Sequence, residues 1–72
     1  MQITVITKVE VRNGNVAKVT NDLFADEEDA VMDVERICRE SGRSWQEVKY
    51  TGAKKAYRVD YGVGEYDIWT IN

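Results

Sequence analysis

An acidic run, Asp26-Glu27-Glu28-Asp29, is the densest group of side chains in the sequence that could do chemistry. Carboxylates so close together could coordinate a cation or imitate the phosphates of a nucleic acid. The spacing, however, lacks the alternating oxygen ligands and the mid-loop glycine of a calcium loop. Acids are also favoured in the first turn of a helix, where backbone N–H groups are unpaired and the helix dipole is positive. We therefore expect this run to begin a helix, and we predict no metal site.

The sequence offers little to a catalytic mechanism. It contains one cysteine, Cys38, and no histidine, so no imidazole is present to activate a thiol or to bind zinc in the usual way. Cys38 also falls on the apolar stripe of the predicted helix, where a free thiol behaves as a small, unreactive hydrophobe. Gly62-Val63-Gly64 resembles the start of a dinucleotide fingerprint, but it follows an antiparallel strand pattern, which favours a turn. We expect a non-enzyme with no catalytic residues and no cofactor.

The C-terminal part of the chain brings aromatic and basic side chains together. Its tyrosines are Tyr50, Tyr57, Tyr61 and Tyr66, and alternation predicts that they share a face with Val48, Val59 and Ile68. A stacking platform for a nucleic acid or another ligand would use Tyr57, Arg58, Lys54 and Lys55. The tyrosines are more simply explained as half-buried core side chains whose hydroxyls reach water. Because the net charge is −3, nucleic-acid binding is disfavoured and is kept as the alternative function.

Residues 26–41 are the segment whose apolar residues recur at helical spacing. The predicted buried stripe consists of Ala30, Val31, Val34, Ile37, Cys38 and Ser41. Asp26 is the expected N-cap, and Ser41-Gly42 is the expected end, since glycine enters the left-handed region without steric cost. The exposed side of the same helix is a second candidate binding surface, made of Glu28, Met32, Glu35 and Arg39.

The segments before this helix alternate with a period of two residues, which predicts a β-hairpin. In residues 2–12 the apolar side is formed by Ile3, Val5, Val9 and Val11, and we expect this side to face the helix. The predicted turn is a three-residue loop, Asn13-Gly14-Asn15, with Asn15 in the left-handed region. It would pair Val9 with Val19, Val5 with Leu23, Val11 with Ala17 and Glu10 with Lys18.

After the helix we expect a meander of strands. Residues 44–47 fit both a capping box that starts one helical turn and a strand that begins at Trp45, and both interpretations stay open. Further on, Gly62-Val63 fits a type II′ turn. Its register pairs Val59 with Tyr66, Tyr57 with Ile68 and Arg58 with Asp67.

This register determines which side chains of the last strand point away from the helix. If the tyrosine side faces the helix, Trp69 and Ile71 point to the other side of the sheet. An exposed apolar pair is a candidate partner surface, unless the sheet curls or loops fold over it. The predicted partner-binding residues are Trp69, Ile71, Ala56, Arg58 and Asp67.

Together these segments predict an α+β fold in which one helix packs on an antiparallel sheet of about five strands, in the order β-β-α-β-β-β. A chain of 72 residues allows a single domain, residues 1–72, and how the hairpin and the meander join is left open. No apolar run approaches the ~18 residues of a membrane span, and Met1 leads directly into a strand pattern. We therefore expect a soluble, cytoplasmic protein with no membrane partner.

The functional expectation is a protein-interaction module. It would bind a protein partner, or itself as a homodimer, through the outer sheet face or an edge strand. A small acidic domain with one helix on a sheet is similar, in type and size, to many short proteins of phages and mobile elements, including inhibitors of host defence systems. That similarity implies a role as an inhibitor or adaptor.

Overall fold

The alternating segments form strands and the helically spaced segment forms a helix, which confirms the predicted α+β fold. The structure is a computed structural model that describes residues 3–72. Its elements are β1 (Thr4–Arg12), β2 (Asn15–Phe24), α1 (Glu27–Glu40), β3 (Ser44–Val48), β4 (Lys55–Gly62) and β5 (Glu65–Ile71). Residues 44–48 are therefore a strand, and not the helical turn that a capping box would have started.

The five strands form one antiparallel sheet in the order β2-β1-β5-β4-β3. The hairpin and the meander are joined by β1 and β5, which pair from Ile6 opposite Ile71 to Val11 opposite Tyr66. The last strand in sequence therefore lies in the middle of the sheet, and β2 and β3 are its edges. The sequence left this junction open because it depends on contacts between distant parts of the chain.

Helix α1 begins and ends as predicted. Asp26 caps it, and its side chain accepts a hydrogen bond from the Glu28 N–H at 2.9 Å. At the other end the Ser41 N–H donates to the Ile37 carbonyl at 3.0 Å. The buried residues are Ala30, Val34 and Cys38, with Val31 and Ile37 packed beside them. Within residues 3–72, no helix is long and apolar enough to cross a membrane.

In the first hairpin the predicted strand register is confirmed and the predicted turn is wrong. Val9 lies opposite Val19, Val5 opposite Leu23 and Glu10 opposite Lys18. The turn has two residues, Asn13 and Gly14, with φ of 55° and 74°, so Asn15 does not occupy the left-handed region. Val11 pairs with Val16 instead of Ala17. An extra residue, Ala17, thus absorbs the difference as a bulge, and the register beyond it is unchanged.

In the second hairpin the predicted register is wrong by one residue. Gly62 pairs with Glu65, and the positive φ of 72° belongs to Gly64, so Gly62-Val63 is not a type II′ turn. Tyr61 is an extra residue between the Asp60–Tyr66 and Gly62–Glu65 pairs. The observed pairs are therefore Tyr57–Trp69, Arg58–Ile68 and Val59–Asp67.

A shift of one residue exchanges the two faces of a strand. Trp69 and Ile71, expected to point outward, are 5% and 0% exposed and lie in the core under α1. In β1 the apolar residue that packs in the core under the helix is Ile6, so the expectation that Ile3, Val5, Val9 and Val11 face the helix is wrong. The rest of the core consists of Tyr57 and Val59 from the sheet with Ala30, Val34 and Cys38 from the helix.

We expect the indole of Trp69 to be shielded from solvent. In a Trp45→Phe variant, which leaves Trp69 as the single tryptophan, acrylamide should quench the fluorescence weakly, because the side chain is 5% exposed. The matched Trp69→Phe variant keeps the half-buried Trp45 and should be quenched more strongly. Stronger quenching of Trp69 than of Trp45 would contradict the observed register of β4 with β5.

Candidate functional site

The candidate site is the outer face, which we define as the side of the sheet turned away from α1. The strand pairing assigns to this face the apolar side chains of Val5, Val9, Val11, Val16, Val19, Leu23, Tyr66 and Ile68. An antiparallel sheet with one face in water usually carries polar residues there. This face is instead apolar across β2, β1 and β5, three neighbouring strands.

Exposure on the outer face is largest at the edge strand. The side chains of Val16, Val19 and Leu23 in β2 are 64%, 52% and 69% exposed. These three residues lie on one strand, and their neighbours across the sheet are Val11, Val9 and Val5. A contiguous apolar patch of this kind is typical of a binding surface.

A groove of about 320 Å³ lies within the outer face. Val9, Val11, Val16 and Ile68 contribute aliphatic surface, Tyr50 and Tyr66 contribute aromatic rings, and Thr7 and Thr70 contribute hydroxyl groups. Tyr50 is 54% exposed, so one aromatic wall of the groove is open to solvent. The shape and lining suit an apolar side chain of another molecule.

The outer face carries almost no net charge. Along its strands, between residues 4 and 71, the charged side chains are Arg58 and Asp60, and they form an ion pair at 2.8 Å. The Arg58 guanidinium also lies 3.9 Å from the centre of the Tyr66 ring, in a cation–π contact. The acidic run that begins α1 belongs to the other layer of the fold. The face is therefore suited to an apolar, uncharged partner surface.

Of the five residues predicted to bind a partner, three face the helix. Trp69 and Ile71 are buried in the core, and Asp67 is 2% exposed on the same side of the sheet. Ala56 and Arg58 do lie on the outer face, but Ala56 is 1% exposed. The sequence predicted a site on the face turned away from the helix, but three of its five residues lie on the helix side, because the β4–β5 register differs by one residue from the predicted register.

Asp67 has a structural role beside the core. Its Oδ1 accepts a hydrogen bond from Arg12 Nη1 at 3.0 Å, and its Oδ2 accepts one from the Tyr61 hydroxyl at 3.0 Å. Lys8 Nζ lies 3.9 Å from the same Oδ2. Burial, and then the bond to Asp67, raise the pKa of Tyr61. A buried carboxylate with these partners is satisfied within the chain and has little capacity left for a ligand.

The residues of the predicted stacking platform do not come together. Tyr57 is 1% exposed and faces α1, so its ring is not available to stack on a base. Arg58 points to the opposite face of the sheet, as consecutive strand residues must. Lys54 forms an ion pair with Glu27 at 3.2 Å, and Lys55 lies on the helix side opposite Ile71.

The second candidate surface, on α1, is exposed but less apolar. Met32 is 67% exposed, and Glu28 and Arg39 are exposed beside it. Glu35 already accepts a hydrogen bond from the buried Tyr57 hydroxyl at 2.8 Å and lies 3.9 Å from Arg39. One large apolar side chain among charged ones provides a smaller apolar contact area than the outer face.

Cys38 is fully buried, and burial raises the pKa of its thiol, which favours the unreactive protonated form. Within residues 3–72, no three histidine, cysteine, aspartate or glutamate side chains are grouped to hold a metal ion.

We expect the free energy of unfolding to decrease at alkaline pH because of the hydroxyl group of Tyr57. Burial first, and then its hydrogen bond to Glu35, raise the pKa of Tyr57 above the ordinary value of 10.0. The folded state therefore holds this proton more tightly than the unfolded chain does. The stabilisation is complete below pH ~10 and is lost as the pH rises from there toward the folded-state pKa. Urea unfolding at several pH values from ~8 to ~11 should show this decline.

Two variants separate the effect of burial on the pKa of Tyr57 from the effect of its hydrogen bond to Glu35. Tyr57→Phe should be less stable at neutral pH by about 1 kcal/mol, from the lost hydrogen bond, and its decline above pH ~10 should be shallower. Glu35→Gln should keep most of the decline, because burial is the largest cause of the shift. A Tyr57→Phe profile parallel to that of the wild type would contradict this account.

Comparisons of the chain with protein-family models, curated proteins and solved structures found no match. The function is therefore inferred from the geometry of residues 3–72. Among the surfaces described above, the outer face combines the largest apolar exposure with the lowest charge.

Proposed function

We propose that the protein is a non-enzymatic interaction module that binds another protein chain through the outer face of its sheet. The observation that carries the proposal is the apolar face across β2, β1 and β5, where Val16, Val19 and Leu23 are each more than half exposed. Transfer of apolar surface out of water contributes about 25 cal/mol per Å². Several partly exposed aliphatic side chains on three adjacent strands therefore provide a driving force for association.

The groove within the outer face supplies a place for an anchoring side chain. Interfaces derive most of their affinity from a few apolar or aromatic side chains that fill pockets near the centre. The groove is lined by the rings of Tyr50 and Tyr66 and by aliphatic side chains of β1, β2 and β5. A partner would place an apolar side chain there and cover β2 with the surrounding surface.

This placement favours a protein partner over a nucleic acid. Binding to phosphates needs several unpaired basic side chains on one surface. Here Arg58 is paired with Asp60, and Lys54 is paired with Glu27 on the other side of the sheet. The outer face has apolar contacts to offer and little positive charge.

The module would act as an inhibitor or adaptor, of the kind found in phages and mobile elements, in the cytoplasm. An inhibitor or adaptor needs a docking face and no catalytic group, which suits a small fold with one apolar face uncovered. The free, buried Cys38 fits a reducing compartment, where thiols stay unpaired.

The proposal is tested with a matched pair of variants, Leu23→Lys and Met32→Lys. The two side chains are similarly exposed, at 69% and 67%, so each substitution adds one positive charge at a site of similar exposure. They differ in location, since Leu23 lies on the outer face and Met32 on α1. A photoreactive residue at position 19 would first capture the partner, which is then purified. Leu23→Lys should weaken the affinity for the purified partner at least ~10-fold, or about 1.4 kcal/mol. Met32→Lys should weaken it less than ~2-fold.

The dissociation constants are measured by calorimetry, and circular dichroism checks that both variants keep the fold. Equal affinity of the wild type and Leu23→Lys would overturn the proposal. A loss of binding confined to Met32→Lys would move the site to the exposed side of α1.

A further inference from the structure

We infer that the free edge of β2 pairs with the β2 of a second copy of this chain, so that two five-stranded sheets join into one continuous antiparallel sheet. The inference goes beyond the proposed function, because it uses the peptide groups along the edge of the sheet. It leaves the outer face of both copies open to a partner.

The edge at β2 has backbone groups that can pair with another strand. β2 is the outermost strand, and β1 is its neighbour on one side. Within residues 3–72, no backbone hydrogen bond joins β2 to any other element. Every residue of β2 is exposed or half-buried, so no loop or helix of the described chain covers this edge. Alternate N–H and C=O groups of β2 therefore face water.

The opposite edge of the sheet, β3, is protected against such pairing. β3 is only five residues long, contains Glu47, and is flanked by Arg43 and Lys49. Short length and charge are features by which proteins keep an edge strand from pairing. β2 has ten residues, no proline, and Lys18 and Asp22 as its charged side chains. It is therefore the more open of the two edges.

The residues that follow the bulge at Ala17 match themselves when the strand is reversed. The bulge leaves residues 18–24 as the regular part of the edge. An antiparallel pairing centred on Asn21 uses all of this part and sets Val19 of each copy opposite Leu23 of the other, on the outer face. Val19 and Leu23 are 52% and 69% exposed in the single chain. The pairing therefore brings together apolar side chains that each copy alone leaves in water.

The charged residues of the edge agree with the same register. Lys18 and Asp22 lie on the helix side of β2, and within residues 3–72 neither forms an ion pair. In the paired strands Asp22 lies opposite Thr20 of the second copy and diagonal to its Lys18, within reach of that long side chain. Opposite charges therefore attract twice in each dimer. This reversed match of apolar and charged residues is the reason for naming a second copy as the partner.

The pairing closes as a dimer. A two-fold axis perpendicular to the sheet, between the two Asn21 residues, exchanges the copies, and each contributes the same strand. The new outer edges are the two β3 strands, which are short and charged, so the sheet does not grow further. One strand from each copy makes a small contact. We therefore expect a dissociation constant in the micromolar range or weaker.

The first measurement is the mass of the purified protein in solution, by sedimentation equilibrium from about 1 μM to about 1 mM. The mass of the wild type should rise from 8.3 kDa, the mass of one chain, toward twice that value. A wild type that stays at the mass of one chain throughout would overturn the inference.

The register is tested with single cysteines, because a disulfide forms only where two Cα atoms lie within about 7 Å. Asn21→Cys places two thiols directly opposite each other, and mild oxidation should link them. Val19→Cys is the matched control on the same strand. Its two thiols would lie four residues, or about 14 Å, apart, so it should link at least ~10-fold more slowly. A mixture of Val19→Cys and Leu23→Cys should link the two different chains.

Gln46→Cys is the control on the other edge, β3, and should stay unlinked. The native Cys38 is fully buried and does not compete. The substituted positions are exposed, so the reduced variants should keep the fold, which circular dichroism checks. Faster linking of Gln46→Cys than of Asn21→Cys would overturn the inference, and so would equal rates for Asn21→Cys and Val19→Cys.

The two proposals fail separately. A monomeric wild type that binds a purified partner, and loses it in Leu23→Lys, would end this inference and keep the proposed function. A dimer linked through Asn21→Cys, with no partner that depends on the outer face, would keep this inference and end the proposed function.

Discussion

The pairing of β4 with β5 decides what the helix covers and what remains exposed. Tyr61 is an extra residue in this hairpin, and it sets Val59 opposite Asp67 and Tyr57 opposite Trp69. Because alternate strand residues point to opposite faces, the same pairing sends Trp69 toward α1 and Ile68 toward solvent. The core and the outer face are therefore two results of one register, and a change that stabilised the alternative register would exchange them.

The helix side of the sheet is closed by large side chains and by a charged network. Tyr57, Trp69 and the half-buried Trp45 fill the space under a single helix of 14 residues. Beside them, Asp67 is held by Arg12 at 3.0 Å, and Lys8 is close to both Asp67 and the Trp69 ring. A buried carboxylate is tolerated there because its partners compensate for the lost hydration. On the opposite face there is no second layer of this kind within residues 3–72.

The features that could be predicted from the sequence are those set by nearby residues. The extent of α1, its Asp26 cap and the pairing of Val9 with Val19 follow from periodicity, capping and alternation. The β4–β5 register could not be predicted, because β5 carries apolar residues on both faces and either register satisfies the pattern. Ile6, the apolar residue out of step in β1, faces the helix, but in the sequence the three valines of the opposite side outweigh it, so the pattern of β1 also favoured the wrong face.

The position of β5 in the middle of the sheet has a consequence for how the protein folds. Neither β1 nor β4 can complete its hydrogen bonds until β5 is available, and the pair Ile6–Ile71 joins residues from opposite ends of the described chain. The pairing of β1 with β5 is the one strand pairing in the described chain that joins such distant residues, and closing so long a loop slows folding. During synthesis the hairpin of β1 and β2 forms before β5 is available, so it exposes apolar side chains on both of its faces. The partly folded chain, before β5 pairs with β1, is therefore the species that we expect to aggregate or to bind chaperones.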